Sequence, residues 1–432
     1  MLDIQFIRDN PALVKEKSKQ KQVDIDIEAF LQLDEKRRSL LKRIDELRAK
    51  RNQNAESIKN KKPTAAEISE GKSLKEQIAN LENQLEPIER DILAIHKNIP
   101  NISLDIVPVG KTEAENQIIK THGTPNTFSF SPKSDAQLGD DFGLIDKERA
   151  AKISGARFAY LKGDLVRLQF ALLQFVMDVV SDEAIIAKLV EKNKLQISTK
   201  PFTPVLPPAV IKTNAYEASA RLNADEQTYK LADDDLWLNA SAEHSLCTMH
   251  MNEVIDESLL PIRYVGYATS FRREAGSYGK DTEGIFRMHQ FDKLELEIFS
   301  NSATGLEEHQ LLVAIQEYIM QRLELPYQLI QKCTADIGKP NAQGVDINTW
   351  MPAQGEYRET HTADYMTDYQ ARRLKTKVRK TDGSLEYVHT NDATGVAMGR
   401  TLKAILENYQ EEDKIRIPSA LVKYMNGKEF IV

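Results

Sequence analysis

The sequence predicts an α+β chain in which an N-terminal antiparallel helical coiled-coil hairpin precedes a larger domain of strands and helices. Two observations lead to this prediction. Leucine or isoleucine recurs every seven residues at 33, 40 and 47 and again at 74, 81, 88 and 95, and mainly apolar residues interleave with these positions at spacings of four and three, which is typical of a coiled-coil seam. Further along, positions 294–298 alternate apolar and acidic side chains, the pattern of a half-buried strand.

The composition is ordinary for a globular chain of two or three domains. The 432 residues are 41% hydrophobic and 28% charged. The net charge of -7 gives no overall attraction to nucleic acid, so RNA contacts would need a local basic patch. Cys247 and Cys333 are too few for a disulfide framework or a thiolate zinc site. With no apolar run of signal-peptide or transmembrane type, we expect a cytoplasmic protein without a membrane partner.

The first hundred residues carry the coiled-coil signal. Residues 1–27 predict a short helical lead, with Asn10-Pro11 at a helix start. Leu33, Leu40 and Leu47 then repeat every seven residues until Pro63 interrupts the pattern. Two helices of about 33 residues on either side of this break predict an antiparallel hairpin roughly 50 Å long.

Basic side chains follow the first helix of this hairpin. They include Arg37, Arg38, Lys42, Arg43, Arg48 and Arg51. Such a rod is equally compatible with a dimerisation or spacer coil and with a surface that follows an RNA backbone. Acidic residues of the second helix offer an alternative set of partners for these cations.

The chain then passes through a polar segment into the larger domain. We predict a helical arm at 1–100, a linker or edge segment at 101–135 and a single domain at 136–432. The larger domain begins with an amphipathic helix from Leu165 to about Val180, followed by a strand at 202–207 that ends in proline. Ser241-Ala242-Glu243 comes later, ahead of the next strand pair.

Residues 269–299 predict two strands joined by a loop rich in glycine and charge. Arg272 and Glu274 would share one face of the first strand. Arg287, Phe291 and Glu295 would share one face of the second, with Phe291 and Glu295 roughly 13 Å apart. Cations, an aromatic ring and a carboxylate in line suit a ligand with phosphate, a base and an amino group.

The remaining elements follow in order. We predict a helix at 306–323, strands at 327–333 and 345–352, and then Glu359 within the segment 356–373. His389–Arg400, which includes Gly395 and Gly399, leads into a last helix whose buried face carries Leu402, Ile405, Leu406 and Tyr409.

These residues carry a family resemblance. Phe271-Arg272-x-Glu274 followed by Arg287-x-x-x-Phe291 resembles motif 2 of class II aminoacyl-tRNA synthetases, and FRREAGSYGKDTEGIFRMHQFDKLE resembles seryl-tRNA synthetases. Motif 1 would span about 165–208, motif 2 about 263–299 and motif 3 about 389–410. The resemblance implies a catalytic domain built on a mixed, mainly antiparallel sheet flanked by helices, a homodimer formed through motif 1, and an arm that grips tRNA.

The resemblance also implies roles in ATP binding. Arg272, Glu359 and Arg400 would be catalytic. Arg272 would bridge the serine carboxylate and the α-phosphate, and Arg287 would hold the terminal phosphate. Glu274 would meet the adenine amino group between Phe291 and Arg400, and Glu359 would hold Mg²⁺ with ATP. The full set of implied ATP-binding residues is Arg272, Arg273, Glu274, Arg287, Phe291, Glu359, Thr360, His361, Thr362 and Arg400.

For serine, the resemblance implies Ser241, Ala242, Glu243, Arg272, Glu295 and Thr394. The family carries Thr-Ala-Glu where this chain has Ser241-Ala242-Glu243, and serine where it has Thr394, so both changes retain a hydroxyl. The segment 359–365 departs further, with Glu-Thr-His-Thr-Ala-Asp-Tyr in place of the usual Glu-Ile-Ser-Ser-Cys-Ser-Asn. We expect His361 at the rim of the site.

The predicted activity is the ATP-dependent activation of L-serine and its transfer to the serine tRNA, tRNA(Ser). Whether the selenocysteine tRNA, tRNA(Sec), is also charged stays open. The alternatives are a paralogue that loads an amino acid onto a carrier protein and a catalytically dead coiled-coil RNA-binding relative. The uninterrupted heptads weigh against the first, and the intact Arg272, Glu274, Arg287, Phe291 and Arg400 weigh against the second.

Overall fold

The computed structural model describes residues 1–59, 61–222, 228–274 and 283–432. Most of the loop predicted between the strands of motif 2, including Gly276 and Gly279, lies outside the described residues. The chain divides into two compact units, residues 1–102 and 103–432. Each unit is described by itself below.

The regular elements in the described part of unit 1 are all helices. Its helices are α1 (Ile4–Asp9), α2 (Pro11–Gln20), α3 (Ile27–Ile58) and α4 (Ala65–His96). Pro11 opens α2 as predicted, because its missing N–H needs no partner in a first turn. Thr64 and Glu67 form a reciprocal capping box that starts α4 after the predicted break.

Helices α3 and α4 form the predicted antiparallel hairpin. Arg48 pairs with Glu82, whereas Asn54, further along α3, donates to the backbone of Glu67, nearer the start of α4. Apolar side chains at the heptad positions fill the seam between the two helices; they are Leu40, Leu41, Ile44, Leu47, Ile78, Leu81 and Leu85. The coiled-coil prediction is confirmed.

Unit 2 contains the remaining elements. Its helices are α5 (Asp135–Asp141), α6 (Lys147–Ser154), α7 (Asp164–Ser181), α8 (Glu183–Lys192), α9 (Thr213–Ala218), α10 (Ala242–Cys247), α11 (Gly305–Arg322), α12 (Tyr369–Leu374), α13 (Met398–Asn408) and α14 (Ser419–Val422). Its strands are β1 (Gln117–His122), β2 (Ile145–Asp146), β3 (Tyr160–Leu161), β4 (Thr203–Val205), β5 (Val210–Lys212), β6 (Leu236–Leu238), β7 (Val254–Asp256), β8 (Ile262–Phe271), β9 (Gln290–Ser300), β10 (Tyr327–Gln331), β11 (Gln343–Met351), β12 (Glu356–Thr367), β13 (Lys377–Arg379), β14 (Leu385–Tyr387), β15 (His389–Ala397), β16 (Ile415–Arg416) and β17 (Phe430–Ile431).

An eight-stranded sheet organises unit 2, in the order β1-β10-β11-β12-β15-β9-β8-β4. Strand β4 runs parallel to β8, and the other neighbouring pairs are antiparallel. The predicted mixed, mainly antiparallel sheet is therefore confirmed. Strand β1 lies at one edge of this sheet and pairs with β10.

The two faces of the sheet differ in chemistry. Ala363, Ala393 and Leu296 are neighbours on β12, β15 and β9, and all three lie in the hydrophobic core with helices α7, α11 and α13. The next row along the same strands is Asp364, Asp392 and Glu297, so it faces the opposite side. The helices cover the apolar face and leave a polar face for the site.

The prediction that the second motif 2 strand is half-buried is wrong. Residues 293–300 of β9 are all buried, including Glu295 and Glu297. The alternation is real, but the acidic face of β9 meets other polar side chains, such as Ser241 and Lys293 at Glu295, and not bulk water. The strand bounds also differ: β8 ends at Phe271 and β9 begins at Gln290, so Arg272, Glu274 and Arg287 lie beyond the strand ends.

Candidate active site

A cavity of about 310 Å³ opens over the polar face of the sheet. Its lining includes ten of the residues that the sequence predicted: Glu243, Arg272, Glu274, Arg287, Phe291, Glu359, Thr360, Thr362, Thr394 and Arg400. They come from widely separated parts of the chain, and the fold brings them together. Residues that the sequence did not single out also line it, among them Arg221, His244, Phe286, Lys293 and Asp364.

Arg272 and Phe291 form one wall of this cavity. The Arg272 guanidinium carbon lies 5.3 Å from the centroid of the Phe291 ring, within cation–π range. Its Nε donates to the backbone oxygen of Ala240 at 3.1 Å. The backbone bond and the ring fix the direction of the guanidinium, whose planar fork suits two anionic oxygens at once.

Glu274 and Arg287 contact each other at the ends of β8 and β9. Arg287 Nη1 lies 2.8 Å from Glu274 Oε2. Glu274 has a φ of 50°, in the left-handed region that a residue with a side chain seldom adopts. Strained backbone of this kind is concentrated at functional sites, where surrounding contacts hold it.

Glu359 and Arg400 lie together on a further part of the lining. Arg400 Nη1 donates to Glu359 Oε1 at 2.8 Å, and the Arg400 guanidinium also lies 5.1 Å from the ring centroid of Phe286. Removal from water alone would raise the pKa of Glu359, but the positive charges of Arg400 and Lys332 lower it to about 2. Glu359 is therefore an ionised carboxylate at neutral pH.

Gly399 brings the start of α13 against the segment that precedes β9. A Cβ atom at this position would lie 2.3 Å from the backbone oxygen of Ile285, so no other residue fits without movement. Contact with the protein's own backbone therefore requires glycine at this position.

Glu295 lies at the acidic end of the polar face. It is 1% exposed and stands between Gly266 on β8 and Thr394 on β15. The hydroxyl of Ser241 donates to its carboxylate, and Lys293 Nζ contacts the same oxygen. Burial raises the pKa of Glu295, while Lys293 opposes the rise. Ser241 and Glu295 therefore do not line the cavity themselves. They lie behind the lining residues Thr394 and Lys293.

Glu243 lies at the start of α10, just after Ser241 and Ala242. Ala242 is buried and packs with Leu246 and Ala268. Arg221 Nε is 3.0 Å from Glu243 Oε1. Burial would raise the pKa of Glu243, but Arg221 and further cations lower it to about 2. Glu243 therefore faces the cavity as an anion.

The expected rim position of His361 is wrong, because the residue is 0% exposed. It lies in β12 opposite Ile347 of β11, and its Nδ1 is 2.9 Å from the hydroxyl of Thr360. Burial, together with the nearby Lys293 and Arg400, lowers its pKa to about 3. Thr360 and Thr362 do line the cavity. Arg273 is exposed and stands outside the lining, so its implied role in ATP binding stays a prediction.

The sequence contained a signal for some of the missed residues but not for others. Lys293 precedes Glu295 by two positions and so shares its strand face, which the alternation could have revealed. Arg221 follows a short helix in an irregular segment, and no local pattern indicates that it reaches three acidic residues. Phe286 lies outside β9, where strand periodicity does not apply.

The basic residues predicted for the arm differ in their surroundings. Arg37 and Arg38 contact buried Asp34, at 3.1 and 3.4 Å. Arg48 pairs with Glu82 of α4 at 2.7 Å, so the alternative of neutralisation across the seam holds at this position. Lys42, Arg43 and Arg51 are exposed on α3.

No group of three or more His, Cys, Asp or Glu in the described ranges could hold a metal ion by itself. Within the same ranges, none of the helices has the length and apolar character needed to cross a bilayer.

Two family models match the chain. The Seryl-tRNA synthetase N-terminal domain matches residues 1–103, and the tRNA synthetase class II core domain (G, H, P, S and T) matches residues 228–409. The chain is 38% identical to a Serine-tRNA ligase of Exiguobacterium sp., over 100% of this chain and 99% of that protein. It is 39% identical to one of Methanospirillum hungatei, over 100% of both.

Solved structures agree with the family models. The crystal structure of seryl-tRNA synthetase from Pyrococcus horikoshii complexed with ATP has a TM-score of 0.88 and 37% identity, covering 100% of this chain and 99% of that one. A cytoplasmic Serine-tRNA ligase of Naegleria fowleri in complex with AMP has a TM-score of 0.85 and 26% identity, covering 100% and 98%. With its cavity, its arm and these relatives, the chain belongs to the seryl-tRNA synthetase family of class II aminoacyl-tRNA synthetases.

Proposed function

We propose that the chain activates L-serine with ATP and transfers the seryl group to tRNA(Ser). One observation carries the proposal. A single cavity is lined by Arg272, Glu274, Arg287, Phe291, Glu359 and Arg400, the set proposed for ATP, and by Glu243, Lys293 and Thr394, the set proposed for serine. The first set offers cations and an aromatic ring, and the second offers an anion and a hydroxyl beside buried Glu295.

The proposed chemistry has two steps. A serine carboxylate oxygen attacks the α-phosphorus of ATP, an anhydride bond forms, and the bond to the β-phosphate breaks to release pyrophosphate. A ribose hydroxyl of the terminal tRNA adenosine then attacks the seryl carbonyl, and AMP leaves. Both reactants of the first step are anionic, so orientation and charge neutralisation supply the catalysis, without a side-chain nucleophile.

Arg272 is the proposed bridge between the serine carboxylate and the α-phosphate. Its bond to the Ala240 backbone and its position over Phe291 hold the guanidinium ready before the substrates arrive. On the same side, Glu274 would accept from the adenine amino group and Arg287 would hold the terminal phosphate. The ion pair between Glu274 and Arg287 would have to open or share its atoms with ATP.

Phe291 and Arg400 are the proposed faces of an adenine site. Both line the cavity, and Arg400 is already stacked on Phe286 at 5.1 Å. Phe286 therefore limits the directions that the Arg400 guanidinium can take. Thr360, His361 and Thr362 belong to the same strand, but buried His361 would support its neighbours from behind the lining.

Serine would bind at the acidic end. Ionised Glu243 would meet the ammonium group, and Thr394 would lie beside the substrate hydroxyl with Glu295 behind it. Ser241 holds Glu295 through a hydrogen bond, and Ala242 packs below. A site built around a substrate hydroxyl rejects alanine, because buried partners would be left unpaired.

Mg²⁺ fits this site if ATP supplies most of its ligands. Glu359 is ionised and carries the hard oxygen donors that Mg²⁺ prefers. The described residues around it do not form a protein cage for a metal, so the ion would enter with the nucleotide. Bound there, Mg²⁺ would supply neutralisation of phosphate charge. Arg400 would orient Glu359 through their ion pair.

The N-terminal unit is the proposed tRNA-binding arm, at residues 1–100. Exposed Lys42, Arg43 and Arg51 on α3 offer charge for an RNA backbone, and Arg37, Arg38 and Arg48 share theirs with acidic neighbours. Residues 101–135 would connect the arm to a catalytic domain at 136–432. The proposal includes tRNA(Sec) as a second substrate to be tested beside tRNA(Ser).

The chain would act as a cytoplasmic homodimer through motif 1. Two apolar side chains of this motif are exposed in the single chain: Phe170 on α7 is 55% exposed, and Leu206 after β4 is 80% exposed. Exposed apolar side chains on a motif 1 helix and strand are the kind of surface that a partner subunit would cover.

The test is ATP–pyrophosphate exchange with each amino acid, followed by charging of total tRNA. We expect exchange with L-serine and acylation of tRNA(Ser). Exchange without tRNA acylation would favour the carrier-protein paralogue, and no exchange would favour the dead relative. Replacing Glu295 by Ala should lower serine-dependent exchange by about a hundredfold, with ATP binding changed far less. Unchanged serine dependence would contradict the assignment of Glu295.

A further inference from the structure

Three acidic residues stand side by side on neighbouring strands of the polar face. Asp364 of β12 is opposite Asp392 of β15, and Asp392 is opposite Glu297 of β9. Their exposed fractions are 5%, 2% and 0%. Like charges directly opposite each other destabilise a sheet, and more so away from water. This row therefore needs a compensating charge or bound protons.

Arg221 supplies a compensating charge from outside the sheet. Its Nη2 donates to Asp392 Oδ2 at 2.6 Å and lies 3.5 Å from Asp364 Oδ2. Its Nε is 3.0 Å from Glu243 on α10. One guanidinium thus joins three acidic residues from three separate elements, and its side chain is only 17% exposed.

Two further cations of the lining have other partners. Lys293 contacts Glu295, and Arg272 donates to the backbone oxygen of Ala240. Burial raises the pKa of Glu297 well above its usual range, and it raises the pKa of Asp392 similarly even with Arg221 beside it. Arg221 is the first of the cations that keep the pKa of Glu243 low. Without it, Glu243 would lose the ion pair that fixes the orientation of its carboxylate, and the remaining cations would act on Glu243 without this contact.

We propose that Arg221 is a positioning residue for serine recognition, because it holds Glu243 and the Asp364–Asp392 pair in the arrangement that receives the amino acid. This inference rests on the proposed serine-binding end of the cavity. Arg221 lines that end, whereas Phe291 and Arg400 belong to the proposed nucleotide end. Loss of Arg221 should therefore raise the KM for serine more than the KM for ATP.

The experiment measures KM for serine and for ATP by pyrophosphate exchange. Arg221→Met keeps the side-chain length and removes the charge. We expect its serine KM to rise by about ten- to a hundredfold, as for loss of a charged hydrogen bond, with the ATP KM within about threefold of the original. The serine KM of Arg221→Lys should lie between the values of the original chain and of Arg221→Met, because an ammonium group cannot contact three acids in the directions that a guanidinium does.

A second substitution tests the charge argument directly. Adding Asp392→Asn to Arg221→Met replaces the acid that Arg221 contacts at 2.6 Å by an amide, which needs neither a compensating charge nor a bound proton, so serine KM should recover at least about threefold. Arg263→Met is the matched control, because Arg263 is also buried in an ion pair, with Glu308, but does not line the cavity. It should lower thermal stability and leave the serine KM of the folded protein unchanged.

The outcomes separate this inference from the proposed function. A folded Arg221→Met with unchanged serine KM overturns the inference, as does an equal rise in serine and ATP KM. If Arg221→Met does not fold, the KM of Arg221→Lys decides in the same way. Absence of serine-dependent exchange in the original chain would instead refute the proposed function.

Discussion

Glu359 on β12 and Arg400 at the start of α13 form an ion pair, with Arg400 Nη1 2.8 Å from Glu359 Oε1. The pair joins β12 to the helix that follows β15, among the residues proposed for the nucleotide. Arg400 and Lys332 lower the pKa of Glu359 to about 2 against the effect of burial. Its charge is therefore available to a cation at any pH near neutrality.

Glu359→Gln should weaken the use of ATP. The change removes a charge but keeps the shape, so we expect the ATP KM to rise about tenfold or more and the Mg²⁺ requirement to increase. The measurement is pyrophosphate exchange across ATP and Mg²⁺ concentrations. Glu356→Gln is the control, because Glu356 is an exposed residue of the same strand. Equal ATP KM values for the two variants would contradict the role of Glu359.

Gly399→Ala should destabilise unit 2. An added Cβ would meet the Ile285 backbone oxygen at 2.3 Å, and overpacking of this kind lowers the free energy of unfolding by about 1–3 kcal/mol. Urea unfolding with a probe in each unit measures the change.

Gly71→Ala is the control for that change. Gly71 lies inside α4, where an added Cβ would have its nearest neighbour, Asn54 Oδ1, at 4.0 Å. Because alanine favours a helix, we expect unit 1 to gain about 0.5–1 kcal/mol. A stabilising effect of Gly399→Ala would show that the backbone contact with Ile285 does not constrain this position.

His361 should make the folded state sensitive to acid. Its pKa in the folded protein is lowered to about 3, so the unfolded chain binds a proton at higher pH than the folded chain does. Stability is present above the unfolded histidine pKa, about 6.5, and is lost as pH falls toward 3. We expect His361→Asn to reduce this slope by up to about 1.4 kcal/mol per pH unit.

Urea unfolding from about pH 7 to about pH 4, a range that spans the ordinary histidine pKa, measures that slope. Exposed His122→Asn serves as the control, since the same substitution there removes an imidazole that is not buried. If both variants keep the full acid dependence of the original chain, His361 does not contribute as described.

Lys42 and Arg43 should act on tRNA but not on activation. Replacing both by Gln removes exposed charge from α3, so we expect a higher KM for tRNA(Ser) and a shallower dependence of binding on salt. Pyrophosphate exchange should stay unchanged. Replacing Lys188 and Lys192 of unit 2 by Gln makes the same charge change on α8 and should leave the tRNA KM unaffected. An equal rise in tRNA KM for the two pairs would show that the net charge of the protein, and not a binding site on the arm, causes the effect.

The fold was predictable where periodicity is strong. The heptads gave α3 and α4 with the break between them, and the apolar positions of α7 and α13 gave the helices that cover the sheet. Burial of β9 on both faces was not predictable, because an alternation of Leu and Glu looks the same whether the acids meet water or a cavity. Only the neighbours, such as Thr394 and Gly266, decide this.

The motif residues that line the cavity were predictable, and the residues that contact and orient them were less so. Arg272, Glu274, Arg287, Phe291 and Arg400 line one cavity, as the family resemblance implied. His361 was misplaced because the divergent segment 360–365 gives no local sign of which residues point inward. Phe286 and Arg221 act through contacts between distant segments, which no spacing in the sequence encodes.

The tie from Arg221 to Glu243, Asp364 and Asp392 makes these four positions interdependent during divergence. Installing the family's serine at position 364 alone would leave the guanidinium with fewer anions, and removing the guanidinium alone would leave the anions exposed to one another. We therefore expect that replacing these four residues together by those of a relative keeps the protein active, whereas replacing them one at a time does not.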